Sequence, residues 1–193
     1  MTIFLARHGE TEWNRVGRWQ GNTDIPLSEI GRAQARSLAE RLRERGIREI
    51  FTSDLSRARE TAEIVAEALG VTCLQIDPRL RERGFGCFEG LTREECEQRY
   101  SDVWARYLAD RRTTPTGAEP QEQVVARVVA ALTAVASSDL AGHVLVVSHG
   151  AAIRAFVHTI TGTAPAPLAN TALFSVSHGA QGFGSITLEA DVI

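Results

Sequence analysis

Two histidines stand in the same local setting. His8 follows the apolar run Thr2-Ile3-Phe4-Leu5-Ala6 and precedes Gly9, and His149 follows Val144-Leu145-Val146-Val147-Ser148 and precedes Gly150. Short apolar runs between turn signals read as buried strands. A glycine after each histidine lets the backbone turn and lets a second molecule approach closely. A lone histidine at a strand end reads as structural, whereas two in matching settings read as a pair facing one site. Arg7 adjoins His8 at the end of an apolar run, where a charge is costly unless an anion pairs with it. Arg57 falls in the first turn of the helix expected after Ser53-Asp54, a place from which a guanidinium can bind phosphate in bidentate fashion. Glu82, in Leu80-Arg81-Glu82-Arg83, supplies a carboxylic acid that can act as general acid when its pKa lies near the working pH. Two arginines, two histidines and a carboxylic acid form a kit for phosphoryl transfer, a chemistry that depends on positioning and charge stabilisation. In such a kit neutral His8 attacks phosphorus. His149 and the arginines hold the equatorial oxygens, and Glu82 protonates the leaving alcohol and then activates water.

The surrounding pattern must place these residues together. Strands are expected at 2–6, 49–52, 71–76 and 143–147, with a hairpin of 171–178 and 183–188 across Gly179-Ala180-Gln181-Gly182. Ser28 is expected to cap a helix with Ala35, Leu38, Ala39 and Leu42 on one face, ended by Gly46. Ser53 or Asp54 is expected to cap the next, with Ala58, Ala62, Val65 and Leu69 in a stripe before Gly70. Residues 92–109 read as one or two helical pieces, 119–136 as a strong helix through Val124, Val128, Leu132 and Val135, and 151–159 as another. Residues 17–26 are turn-rich and 111–120 form a loop. Strands alternating with helices predict a single α/β domain over 1–193: three layers, α/β/α, around a mostly parallel central sheet. Such sheets hold ligands at the carboxyl ends of their strands, where His8, Arg57 and His149 fall. The unpaired N–H groups of the helix after His149 should favour an anion.

Bulk properties exclude several classes. The 193 residues carry a formal net charge of −3, without the basic excess that nucleic-acid binding needs. Cys73, Cys87 and Cys96 are odd in number and lack C-x-x-C spacing, which argues against a disulfide framework or a structural zinc. His8, His143, His149, His158 and His178 form no H-E-x-x-H set, which argues against a metalloenzyme. No apolar stretch reaches membrane-spanning length, and the first residues lack a signal-peptide pattern, so a cytoplasmic location is expected.

The segment Leu5-Ala6-Arg7-His8-Gly9-Glu10-Thr11-Glu12-Trp13-Asn14 resembles the signature of the histidine phosphatase superfamily, the phosphoglycerate mutase-like proteins. Thr52-Ser53-Asp54-Leu55-Ser56-Arg57-Ala58-Arg59-Glu60-Thr61 is similar to the family's arginine segment. Leu80-Arg81-Glu82 with Phe85-Gly86-Cys87-Phe88-Glu89-Gly90 is similar to its acid-bearing segment, and the run from Val144 to Gly150 to its second-histidine strand. The blocks come in the family's order. The resemblance implies that His8 is the phosphorylated nucleophile, that Arg7, Arg57 and His149 surround the phosphoryl group, and that Glu82 donates and accepts the proton. It further implies that Asn14, Gln20 and Gly21 line the phosphate pocket, that Gly150 offers a backbone N–H, and that neither a metal nor another cofactor is needed.

The family divides into mutases, which return the phosphoryl group to a sugar acid, and phosphatases, which give it to water. The stretch between Glu82 and His149 is compact, Gln20-Gly21 replaces the mutases' Thr-Gly pair, and Pro115-Thr116-Gly117-Ala118-Glu119 resembles the phosphatases' Pro-x-Gly-Gly-Glu motif. Ala118, Pro120 and Phe88 depart from the usual glycine, serine and tryptophan of that branch. The expectation is a phosphatase acting on a small phosphorylated metabolite, with no nucleic-acid or membrane partner and a homodimer as an open assembly. A mutase and a non-catalytic phosphate-binding module are the alternatives. Selectivity is expected from residues 83–118, and Arg111-Arg112 reads as a solvated pair rather than a second anion site.

Overall fold

The computed structural model describes residues 1–137, 142–180 and 182–190. In chain order the elements are β1 (Thr2–Arg7), α1 (Glu12–Arg15), α2 (Glu29–Leu42), β2 (Ile47–Thr52), α3 (Ser56–Leu69), β3 (Leu74–Ile76), α4 (Arg93–Arg99), α5 (Ser101–Ala109), α6 (Gln121–Ala136), β4 (His143–Ser148), α7 (Gly150–Thr161), β5 (Leu173–Gly179) and β6 (Gly182–Leu188). Short 3₁₀ turns occupy Pro78–Leu80 and Gly86–Phe88. The strands form one sheet in the order β3-β2-β4-β1-β5-β6. The first four are mutually parallel, and β5 and β6 add an antiparallel hairpin beside β1.

Alternating side chains of the central strands point to opposite faces, and each face is covered by helices. Ile3, Leu5, Val144 and Val146 pack with Val124, Val128 and Leu132 of α6 and Ile153 and Phe156 of α7. Phe4, Ala6, Leu145 and Val147 pack with Leu38 and Leu42 of α2 and Ala58, Ala62 and Val65 of α3. Each such large aliphatic side chain contributes about 1.5–3 kcal/mol by leaving water. The fold is thus the three-layer α/β/α arrangement read from the sequence. A third cluster, Phe85, Phe88, Cys96, Trp104 and Tyr107, joins α4 and α5 to Trp19. Among the described residues no helix is long and apolar enough to cross a membrane.

Several local expectations need correction. Ser28 caps α2 as expected, its Oγ accepting from Gly31 N at 3.0 Å, but the helix stops at Leu42. Gly46, at φ +63°, closes the turn that follows rather than the helix. Neither Ser53 nor Asp54 caps α3, whose N-cap is Leu55 without a side-chain bond. Asp24, from the turn-rich segment, accepts from Ser56 N at 2.7 Å instead, and Asp54 pairs with Arg81 at 2.5 Å. Tyr100 separates α4 from α5. β3 begins at Leu74 and α6 at Gln121, both later than expected. Pro120, at the N-cap of α6, makes no side-chain cap bond. The hairpin forms, although Gln181 of its turn lies outside the described residues.

The loop after β1 lies hard against the start of α2. A Cβ on Gly9 would stand 2.5 Å from the carbonyl oxygen of Gly31, and one on Gly31 would clash with the backbone of Glu10. Backbone atoms cannot swing aside as a side-chain tip can, so Gly9→Ala should cost about 1–3 kcal/mol in overpacking. Urea unfolding should show the lower midpoint, and an unchanged midpoint would contradict the close approach.

Candidate active site

Three strand ends converge. Arg7, last in β1, is in register with Ser148, last in β4, and His8 N–H donates to the Ser148 carbonyl at 3.0 Å. The two chains therefore turn outward side by side, which sets the His8 and His149 rings 5.1 Å apart at 58°. Both rings are buried, at 2% and 0% exposure. Arg57 enters from the first turn of α3, beyond β2, and is itself wholly buried. Its Nη1 donates to Thr23 O at 2.9 Å and its Nη2 to Gly21 O at 2.8 Å. Arg7 Nη1 donates to the Leu168 carbonyl.

Glu82 comes from the segment after the Pro78–Leu80 turn, and its carboxylate spans the start of α7. It accepts from Ala151 N at 3.1 Å, Ala152 N at 3.0 Å and Arg83 N at 2.9 Å. Two of the N–H groups at the start of this helix are therefore taken by the protein's own carboxyl group. Arg7, His8, Asn14, Gln20, Gly21, Arg57, Glu82 and Gly150 line one cleft of about 610 Å³. His149 is fully buried beside His8 rather than on the cleft wall.

Hydrogen bonding sets the tautomer of His8. Its Nδ1 lies 2.6 Å from the Gly9 carbonyl, which can only accept, so Nδ1 carries the hydrogen and Nε2 keeps its lone pair. Burial pushes His8 well below the usual histidine range, and the neighbouring cations Arg7 and Arg57 push it further down against that one bond. Burial, then Arg57, His8 and Arg7, does the same to His149. Burial brings Arg57 down to about 10 and also lowers Arg7, with Glu82 opposing both shifts. At neutral pH the site thus holds two neutral imidazoles and two guanidinium cations. Among the described residues, Arg7 Nε, Arg57 Nε and both ring nitrogens of His149 are buried without a hydrogen-bond partner. Such groups each cost about 1–3 kcal/mol, and an oxyanion held among them would satisfy the donors.

A further set of residues, silent in the sequence, orients these groups. Asn14 Oδ1 accepts from Thr11 N at 3.1 Å and from Asn170 Nδ2 at 3.2 Å. With its oxygen engaged, the amide has its NH₂ end to offer to a molecule in the cleft. Asn170 Nδ2 also reaches the His8 carbonyl at 3.2 Å, and the next residue, Thr171, donates its N–H to that carbonyl at 3.3 Å. Thr171 has φ +57°, a left-handed conformation that is costly for a β-branched residue. Glu89 accepts from Asn22 N, Thr23 N and Phe85 N at 2.9–3.2 Å, and so fixes the loop whose carbonyls hold Arg57. Arg112 is ion-paired with Asp110 at 3.0 Å, while the Arg111 guanidinium lies over the Tyr107 ring at 4.7 Å. Both are exposed, as expected of a solvated pair, and both also border the cleft.

Residues 3–188 match the histidine phosphatase superfamily (branch 1), and the chain belongs to that family. It is 41% identical over 170 residues to a protein of Enterobacter sp. (strain 638) named probable phosphoglycerate mutase GpmB, covering 84% of this chain and 75% of that one. The protein of the same name from Photorhabdus laumondii is 39% identical over 171 residues, with the same coverage. Among solved structures, Bacillus stearothermophilus YhfR superposes with a TM-score of 0.89 at 31% identity, covering 100% of this chain and 98% of that one. A mycobacterial glucosyl-3-phosphoglycerate phosphatase, solved with VO3, superposes with a TM-score of 0.83 at 30% identity, covering 98% and 97%.

The buried neutral histidines carry a pH signature. In the unfolded chain they titrate near 6.5, whereas in the fold they stay neutral to well below that. Below about pH 6.5 the unfolded chain binds the extra protons, so stability is present above that pH and is lost as pH falls. Each histidine contributes a slope that rises from about 0.7 kcal/mol per pH unit at about pH 6.5 toward about 1.4 as pH falls further. Denaturant unfolding between pH 7 and 5.5 should show a shallower slope for His149→Gln than for the unmodified protein. Identical slopes would show that His149 is not held neutral.

Proposed function

We propose that this chain is a phosphomonoester phosphatase that works through a phosphohistidine on His8, needs no metal, and uses Glu82 as general acid and base. The observation that carries this reading is the placement of a neutral imidazole with its lone pair on Nε2 among buried cationic and unpaired polar nitrogens. Nε2 attacks phosphorus and the ester P–O bond breaks, with Glu82 giving its proton to the departing alkoxide. Glu82, now a carboxylate, takes a proton from water as the water oxygen bonds to phosphorus. The P–N bond then breaks, releasing phosphate and restoring neutral His8. Arg7, Arg57 and His149 offset the charge on the phosphoryl oxygens throughout, joined by the Asn14 amide and the Gly150 N–H.

Support for water as the final acceptor comes from the compact stretch after Glu82. It is taken up by α4, α5 and α6, and the mycobacterial phosphatase aligns with nearly all of this chain. The name of the GpmB relatives favours the second reading, transfer to another hydroxyl. The substrate is a small phosphorylated metabolite. Arg93, Arg111 and Arg154 on the cleft wall favour one with further negative charge.

Across a panel of phosphomonoesters, product analysis should show release of inorganic phosphate in preference to a positional isomer of the substrate. His8→Ala should lower turnover by roughly three orders of magnitude or more, as expected for loss of a nucleophile. Isomer formation outpacing phosphate release would replace hydrolase by mutase. Near-normal turnover by His8→Ala would remove the mechanism altogether.

A further inference from the structure

Arg127 stands on α6 next to the core residue Val128 and takes no part in the chemistry above. Its guanidinium places all five of its N–H donors. Nε and Nη2 grip the Glu119 carboxylate at 2.7 and 2.8 Å. Nη1 donates to the carbonyls of Arg79 at 2.8 Å and Arg81 at 2.6 Å, and Nη2 also donates to that of Glu82 at 2.9 Å. Glu119 continues the clasp past Glu82. Its Oε2 accepts from Gly84 N at 3.3 Å, its N–H donates to Gly84 O at 2.8 Å, and its carbonyl accepts from Arg83 Nε at 2.9 Å. The backbone on both sides of Glu82 is therefore fastened to the start of α6, while its carboxylate is held on the far side by the start of α7.

From this geometry we infer that Arg127, locked by Glu119, is the positioning residue for proton transfer by Glu82. The inference rests on the assignment of Glu82 as acid and base. An irregular segment has no ladder of its own to fix it, so the distance from the Glu82 carboxyl to the leaving oxygen is set by what its backbone is tied to. A planar five-donor fork can hold three carbonyls and a carboxylate at once. A lysine ammonium, with three donors around one point, keeps the charge and loses the fork. A displacement of about 1 Å from such a loss is enough to cost roughly 10²-fold in a positioned step.

The test separates proton transfer from general damage through the leaving group. p-Nitrophenyl phosphate leaves as a stable phenolate with little need of an acid, whereas an alkyl phosphate needs its alkoxide protonated. kcat/KM is measured for both esters in Glu82→Gln, Arg127→Lys, Glu119→Gln and the double variant Glu82→Gln/Arg127→Lys. Glu82→Gln should lower kcat/KM for the alkyl ester about 10²-fold or more beyond its effect on the p-nitrophenyl ester. Arg127→Lys should show the same selective loss, about tenfold to a hundredfold, with Glu119→Gln following at smaller size. The double variant should be no more selective than Glu82→Gln alone. If Arg127→Lys lowers both esters by one common factor while Glu82→Gln is selective, Arg127 is merely structural and the inference falls. If Glu82→Gln itself shows no selectivity, the assignment of Glu82 fails and takes the inference with it. Should Arg127→Lys not fold, Glu119→Gln decides by the same comparison.

Discussion

Two guanidinium groups buried beside two imidazoles set the terms for this molecule. The hydrogen bonds of Arg7 and Arg57 go to the carbonyls of Leu168, Gly21 and Thr23, which hold the cations without neutralising them. Burying charge is costly, so the surrounding chain must both supply carbonyls and leave room for an anion. The long turn-rich segment after α1 meets the first need for Arg57, and Glu89 keeps that segment in place. Burial, reinforced by the same cations, keeps His8 and His149 neutral. One electrostatic arrangement thus suits the pocket to an anion and keeps His8 unprotonated, as the proposed mechanism requires of its nucleophile.

The sheet makes that arrangement possible. Parallel pairing of β1 with β4 puts Arg7 level with Ser148, so that His8 and His149 emerge together, and β2 brings α3 and Arg57 to the same edge. Carbonyl ends of parallel strands and amino ends of the following helices meet there. At α7 the N–H groups of Ala151 and Ala152 hold the Glu82 carboxyl group. The carboxylate is thereby stationed beside Gly150 and within the electrostatic reach of both arginines.

Much of this was legible in the sequence, because its signals are local. Apolar runs of four to six residues, stripes at helical spacing and glycines after the two histidines report strand ends without any knowledge of tertiary structure. Arg57 was legible as a first-turn residue, but its complete burial was not, since that depends on carbonyls more than thirty positions away. The cap of α3 was misread for the same reason: Ser53 and Asp54 are the local candidates, and Asp24 does the work from another loop. Asn170 and Thr171 carry no local signal, being tied only to His8 and Asn14 across the fold. Arg127 was hidden by its neighbours, because a charge beside Val124 and Val128 reads as the solvated edge of an amphipathic helix. Three of its five bonds exist only because the segment from Arg79 to Glu82 crosses that helix.

The central claim is a covalent bond between His8 Nε2 and phosphorus. The most direct measurement is rapid-quench labelling of Glu82→Gln protein with radiolabelled p-nitrophenyl phosphate, a substrate that can phosphorylate the enzyme without an acid while water attack lacks its base. The expected result is acid-labile, base-stable label approaching one phosphate per chain within the first turnover, mapped to the peptide that contains His8. Release of p-nitrophenol at the same rate with no label on that peptide would contradict covalent catalysis.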